Sequence, residues 1–185
     1  MKQICRRCSW VNTQNPLYVQ YHDEEWGTPE HHDTRLFELL ILEGFQAGLS
    51  WECVLNKRAA FRAAFDGFDA DKVSRYDEVK RAELMATPGI IRNRMKIVAA
   101  TTNARVFKAI EQEFGSFDAY IWGFTDGQTL REPYTQRTTS PLSDAISKDL
   151  KRRGMKYVGS TIIYSYLQAI GILDAHGPEC DLCGK

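Results

Sequence analysis

Thr87-Pro88-Gly89-Ile90-Ile91-Arg92-Asn93-Arg94-Met95-Lys96 is a turn set between two helical patterns. Upstream, from Asp77, apolar and small residues fall at Val79, Ala82, Leu84 and Met85. Downstream, Ile97, Val98, Thr101, Ala104, Val106, Phe107 and Ile110 carry the same period through a longer segment. Proline and glycine punctuate the two, so the stretch reads as helix, short turn, helix. A glycine turn just before a helix aims free backbone amides outward at the positive end of that helix, and Arg92, Arg94 and Lys96 add local charge. Together these make Gly89 and its neighbours a candidate phosphate site. An ordinary helix connection with solvated cations has the same pattern, and the spacing alone does not separate the two.

The remainder of the chain repeats helical periods. Pro16 suits a first turn and is followed by Leu17, Tyr18, Tyr21 and His22 at helical spacing, predicting a short helix over 16–26. Asp33 is the expected cap of the next helix. Its apolar residues, Leu36, Phe37, Leu39, Leu40, Ile41 and Leu42, run nearly all round it, which places it centrally in the core and ends it near Gly44 to Gly48. Residues 51–65 read as helical, 117–124 as a short apolar helix and 125–141 as a polar surface loop. Ser140 or Ser143 caps a helix that finishes in Lys151, Arg152, Arg153 and Gly154, and residues 161–171 form the last long helix. No run alternates long enough for a sheet. The expected fold is all-α, one compact domain over residues 1–185 made of two helical lobes.

At 185 residues and 43% hydrophobic content the chain has enough material for one sizeable core. Lysine plus arginine (24) equals aspartate plus glutamate (24), so no global field favours a polyanionic partner and any nucleic-acid footprint must be local. No apolar run approaches the roughly 18 residues of a membrane span, and the opening Met-Lys-Gln-Ile-Cys-Arg-Arg-Cys lacks the apolar core of a secretory signal. The expectation is a soluble cytoplasmic protein without a membrane partner.

Five cysteines in such a chain argue against a disulfide framework and for metal binding or plain burial. Cys5 and Cys8 lie near one end, and His176, Cys180 and Cys183 near the other, so the ends are expected to meet. Two ligand sets compete. His176 and Cys180, four apart, combine with Cys8 and His22; alternatively Cys5, Cys8, Cys180 and Cys183 form two Cys-x-x-Cys pairs. Either set suits zinc in a closed, four-ligand structural site with no open position for catalysis. His31 and His32 read as loop residues, and Cys53 as a small core residue. A second basic run, Lys148, Lys151, Arg152, Arg153 and Lys156, reads as a solvated helix end that could extend a DNA track.

Leu42-Glu43-Gly44-Phe45-Gln46-Ala47-Gly48-Leu49-Ser50-Trp51 carries the chemistry. Glu43 emerges from a segment that should be buried, where an unpartnered carboxylate is expensive unless a ligand uses it. Gly44 and Gly48 bracket an apolar corner that lets the backbone pass close to something bulky, and Trp51 supplies a flat face. Most of Trp10, Tyr18, Tyr21, Trp26 and Trp51 belong to a core by ordinary burial statistics. Clustered near an acid, some of them can sandwich a flat, cationic heterocycle, such as an alkylated purine.

The runs Cys8-Ser-Trp10-Val, Tyr18 to Gly27, Leu42 to Trp51, Gly89-Ile-Ile-Arg-Asn-Arg and Arg153 to Gly171 closely resemble the 3-methyladenine DNA glycosylase I family, in order and over nearly the whole chain. The resemblance implies a helix-hairpin-helix glycosylase that flips 3-methyladenine out of double-stranded DNA and hydrolyses its N-glycosidic bond, acting as a monomer with no obligate protein partner. It implies one structural zinc ion on Cys8, His22, His176 and Cys180, leaving Cys5 and Cys183 over. Glu43 matches the acid that contacts the flipped base, and Tyr21 and Trp51 its aromatic walls, with Trp10 and Tyr18 nearby. Leu49 matches a residue that wedges into the gap in the duplex. Ile91 replaces the second hairpin glycine of many relatives, and Asn93 stands where strand-cleaving relatives carry a Schiff-base lysine, which implies base release without strand cleavage. The tail holds too few cysteines for an iron–sulfur cluster, and no aspartate aligns with the catalytic acid of other branches. Two rival readings remain at this level: a zinc-stapled DNA-binding module without catalysis, and excision of a different alkylated purine.

Overall fold

The protein is described by a computed structural model covering residues 6–132 and 137–183. It is built of α1 (Pro16–Glu24), α2 (Asp33–Gln46), α3 (Trp51–Leu55), α4 (Arg58–Ala64), α5 (Ala70–Ser74), α6 (Glu78–Ala86), α7 (Arg94–Phe114), α8 (Phe117–Trp122), α9 (Pro141–Arg152) and α10 (Ser160–Ala169). The helical expectation holds apart from one short feature. Leu130–Arg131 (β1) pairs in parallel with Leu173–Asp174 (β2), and two-residue strands are too short to show alternation in sequence.

Helix starts follow local chemistry. Asn15 accepts a hydrogen bond from the Leu17 amide ahead of Pro16. Asp77 and Asn93 cap α6 and α7 in the same way, and Ser140 and Ser143 share a reciprocal capping box at α9. Asp33 departs from expectation. It is the first residue of α2, and its carboxylate accepts from the amides of Phe117 (2.9 Å) and Asp118 (2.8 Å), so it caps α8 instead of its own helix.

The single helix expected over 51–65 is broken after Leu55. The break sets the buried Arg58 against Glu38, with Nε donating at 2.6 Å, and against Glu25 at 2.9 Å. Arg35 and Arg62 complete an ion-pair cluster on the same two carboxylates. The buried face of α2, from Leu36 to Phe45, forms the centre of the core and packs against α3, α7, α8 and α10. Tyr166 of α10 is wholly buried and donates to the carbonyl of Leu36 at 3.1 Å.

Among the described residues no helix is long and apolar enough to cross a membrane. The stretch from Thr125 to Pro141, expected as a surface loop, holds a short helical turn ending at Thr125 and the β1 residues. Its residues 133–136 lie outside the described set.

Candidate active site and metal cluster

The last turns of α2 place Glu43 and Gln46 on one side of the helix, where they meet Trp10, Tyr21, Trp26 and Trp51, with Ser165 and Gln168 of α10 opposite. The pocket has a volume of about 180 Å³, below the range of about 300–1,000 Å³ for drug-sized ligands, and suits a single heterocycle. Tyr21 and Trp51 are buried, with ring centroids 5.2 Å apart and planes at 49°. Trp10 bridges outward, 5.3 Å from Tyr18 and 4.9 Å from Trp26. Tyr18 therefore supports the wall and is not itself among the lining residues.

Three buried polar atoms of this pocket have no hydrogen-bond partner within the protein: Glu43 Oε2, Gln46 Oε1 and Trp51 Nε1. Leaving such groups unpaired is costly. Burial alone pushes the Glu43 carboxyl up to about 8, with no basic side chain to hold it down. Burial, and then the nearby Glu43, pushes the Tyr21 hydroxyl well above its ordinary value. Two oxygens and one N–H aimed at a small aromatic chamber can bind a planar base that offers two N–H bonds and one acceptor. Sequence reasoning missed Gln46; its place one helical turn after Glu43 was the available signal.

The corner after α2 turns at Gly48, whose φ of +79° favours glycine although nothing crowds its α-carbon. Close approach belongs to Gly44, where a side-chain carbon would meet Tyr157 Cβ at 3.5 Å. Leu49 stands 43% exposed at the tip, and its amide donates to the Gln46 carbonyl at 2.6 Å.

In the hairpin between α6 and α7, Gly89 takes φ +87°. Arg92 is exposed, and Arg94 is exposed and paired with the equally exposed Glu78 at 2.6 Å. Lys96 is different. It is buried, and its ammonium donates to the carbonyls of Phe45 (2.8 Å) and Ala47 (2.6 Å), so it is not on the hairpin surface with the two arginines. A larger open groove of about 510 Å³ runs beside the hairpin along α7, lined by Arg94, Met95, Val98, Thr102, Lys156 and Tyr157, and its exposed wall is mainly apolar. In the second basic run, Arg152 and Arg153 pair with Asp149, and Arg153 also with Glu113.

The chain ends meet as expected. Cys8 Sγ, His22 Nε2 and Cys180 Sγ lie within 4.8 Å of one another, all buried. His22 Nδ1 is 2.8 Å from Asp23 and His176 Nδ1 is 2.7 Å from Asp174, so each ring turns its Nε2 away from its carboxylate; His22 Nε2 accepts from the Cys8 amide at 3.4 Å and lies 3.6 Å from Cys180 Sγ. His176 Nε2 is buried without a partner, and its ring lies 5.4 Å from that of His22. Gly27 makes room for it, since a side-chain carbon there would sit 2.6 Å from the His176 ring. His176 and Cys180 do not share a helical turn; they are joined by a tight turn in which the Cys180 amide donates to Gly177. Cys183 is half-buried with its sulfur 2.8 Å from Arg131, and Cys5 lies outside the described residues. Cys53 is likewise half-buried, not a core residue, while His31 and His32 are exposed ahead of α2.

A family model described as methyladenine glycosylase matches residues 10–183. The chain belongs to the methyladenine glycosylase family. It is 46% identical over 181 residues to DNA-3-methyladenine glycosylase 1 of Escherichia coli K12, covering 94% of this chain and 95% of that protein. It is 38% identical to DNA-3-methyladenine glycosylase of Haemophilus influenzae, covering 94% and 96%. Among solved structures, a crystal structure of 3-methyladenine DNA glycosylase I matches with a TM-score of 0.91 at 45% identity, over 96% of this chain and 99% of that one. A structure described as the basis of 3-methyladenine recognition by the Staphylococcus aureus enzyme matches with a TM-score of 0.90 at 36% identity, over 94% of each chain.

Proposed function

We propose that this protein is a monofunctional DNA-3-methyladenine glycosylase that acts in base-excision repair, releasing the alkylated base by hydrolysis of its N-glycosidic bond. The observation that carries the reading is the convergence of Glu43 Oε2, Gln46 Oε1 and Trp51 Nε1, all without protein partners, on one aromatic pocket. Adenine presents an exocyclic N–H₂ group beside a ring-nitrogen acceptor, which complements two oxygens and one N–H. Guanine presents a carbonyl at the corresponding position and would set oxygen against oxygen. The pocket thus favours 3-methyladenine over 3-methylguanine.

Methylation at N3 makes the adenine cationic and a good leaving group. The residues add to this by stacking on the flipped base and excluding bulk solvent. An ionised Glu43 near a cationic purine stabilises it in the ground state. Glu43 also supplies an acceptor for the proton of an attacking water. The helix-hairpin-helix element, with Gly89, Arg92 and Arg94, grips the duplex backbone, while Leu49 fills the gap left by the flipped nucleotide. At the position where strand-cleaving relatives carry a lysine, Asn93 has no amine with which to form a Schiff base, and its side chain caps α7.

Cys8, His22, His176 and Cys180 fit a structural zinc ion. Their chemistry is two thiols and two imidazoles, the carboxylates of Asp23 and Asp174 orient the rings, and the orphaned His176 Nε2 is accounted for. The ion would tie the first described residues to the last and take no part in the reaction.

The test is incubation of the purified protein with methylated duplex DNA and identification of the released bases. Free 3-methyladenine in excess over 3-methylguanine is expected, and an intact DNA strand. Absence of both bases removes the reading.

A further inference from the structure

Lys96 is 7% exposed, and its ammonium has no carboxylate partner among the described residues. Its donors go to two backbone carbonyls, Phe45 in the last turn of α2 and Ala47 at its end. Helix ends leave carbonyls unsatisfied and carry partial negative charge, so a cation there is favourable. Burying an ammonium is nonetheless expensive, and a methionine of similar length would fill the space at lower cost. What the ammonium adds is a fixed position for two carbonyls.

Those carbonyls flank Gln46, whose own carbonyl receives the Leu49 amide at 2.6 Å. At its other end, the Lys96 backbone lies in the first turn of α7, with its amide on the Asn93 side chain at 3.1 Å. One residue thus joins the hairpin to the corner that carries the exposed leucine. The contact is braced from below. Tyr157, 5.9 Å beneath the ammonium, takes a left-handed φ of +55° and packs on Gly44. A bulky residue holds that conformation only where its surroundings impose it. Here Asn103 holds the preceding residue, exchanging two hydrogen bonds of 2.8 Å with the backbone of Lys156.

We infer that Lys96 is a positioning residue for excision, which sets the Leu49 corner relative to the hairpin that grips the duplex. The inference rests on the glycosylase reading. In its terms, the hairpin binds the backbone, Lys96 transmits that register to the end of α2, and Leu49 enters the duplex where the flipped base has left it. Base recognition by Glu43 and Gln46 does not require this link.

The experiment uses the full-length protein in single-turnover excision from methylated duplex, with affinity for free 3-methyladenine measured in parallel. Lys96→Met is expected to lower the excision rate about tenfold, the scale of one lost charge-assisted contact, with free-base affinity within about twofold. The decisive comparison is a double-mutant cycle with Leu49→Ala. In that background Lys96→Met should cost less than about twofold, because the residue being positioned is gone. The cycle is run with Lys96→Gln as well, which keeps a neutral donor of similar reach, so that a misfolded methionine variant does not end the test. Additive losses, an unchanged duplex rate, or a matching fall in free-base affinity would overturn the inference. Wild-type protein that releases no base overturns the glycosylase reading itself.

Discussion

Glu43 and Gln46 lie one helical turn apart on α2, and each holds a buried side-chain oxygen without a protein partner at the same pocket. Such a pair lowers stability in the free protein and contributes only when a ligand donates to it. Replacing Gln46 by leucine removes the unsatisfied acceptor while keeping an α2 side chain against Trp51. The melting temperature should stay level or rise, and affinity for 3-methyladenine should fall about five- to tenfold, the loss of one hydrogen bond. Calorimetric melting and equilibrium binding on one preparation check both directions.

Glu43 makes stability depend on pH. Its folded carboxyl is raised to about 8, above the value of about 4.5 it has when free in the unfolded chain. The folded state therefore binds the extra proton between these values, and its contribution to stability is fully present below the lower one and lost as pH rises through the upper. Chemical denaturation from pH 5 to 9 should show wild-type stability falling relative to Glu43→Gln across this window. Parallel curves would refute an isolated buried acid.

The same titration governs activity where the ionised form is the one used. For the wild-type protein kcat/KM on methylated duplex should rise with pH and level off above about 8, since that parameter reports the free enzyme. Glu43→Gln should be slow and lack this limb.

Much of the helix layout was legible because starts and stops are local. Pro16, Asp77, Asn93 and the Ser140–Ser143 pair announce helices through bonds within three residues. Interactions across the fold were not. Asp33 looks like a cap for its own helix and instead caps α8, 84 residues away. Lys96 shares a basic run with Arg92 and Arg94, yet packing of α7 against α2 turns it inward, and no spacing rule reveals which side of a first turn meets a neighbour. The acid and aromatic residues of the pocket were found because a charge in an apolar run is conspicuous. Gln46, being neutral, was not.

The zinc proposal separates cysteines that sequence spacing treats alike. Cys8→Ser and His176→Ala should each lower the zinc bound per chain below one and reduce the melting temperature. Cys183→Ser should leave the metal content intact, its sulfur lying against Arg131. Elemental analysis after exhaustive dialysis gives the answer, and zinc loss on changing Cys183 but not His176 would assign the four-cysteine set.

Arg92 and Arg94 are exposed on the hairpin, where replacement changes electrostatics with little disturbance of the core. Each change to alanine should weaken duplex binding and lower the salt dependence by about one in the slope of log K against log salt, if each residue meets one phosphate. Fluorescence anisotropy over a salt series measures this. Lys96→Met should leave the slope unchanged.

The most direct test of the central claim compares wild type with Glu43→Gln on methylated duplex DNA and measures 3-methyladenine released over time. Wild type should release it from an intact strand, and the variant should do so at least about tenfold more slowly while still binding the duplex. Equal rates in the two folded proteins would contradict the account, because the one buried acid of the pocket would then have no part in the reaction.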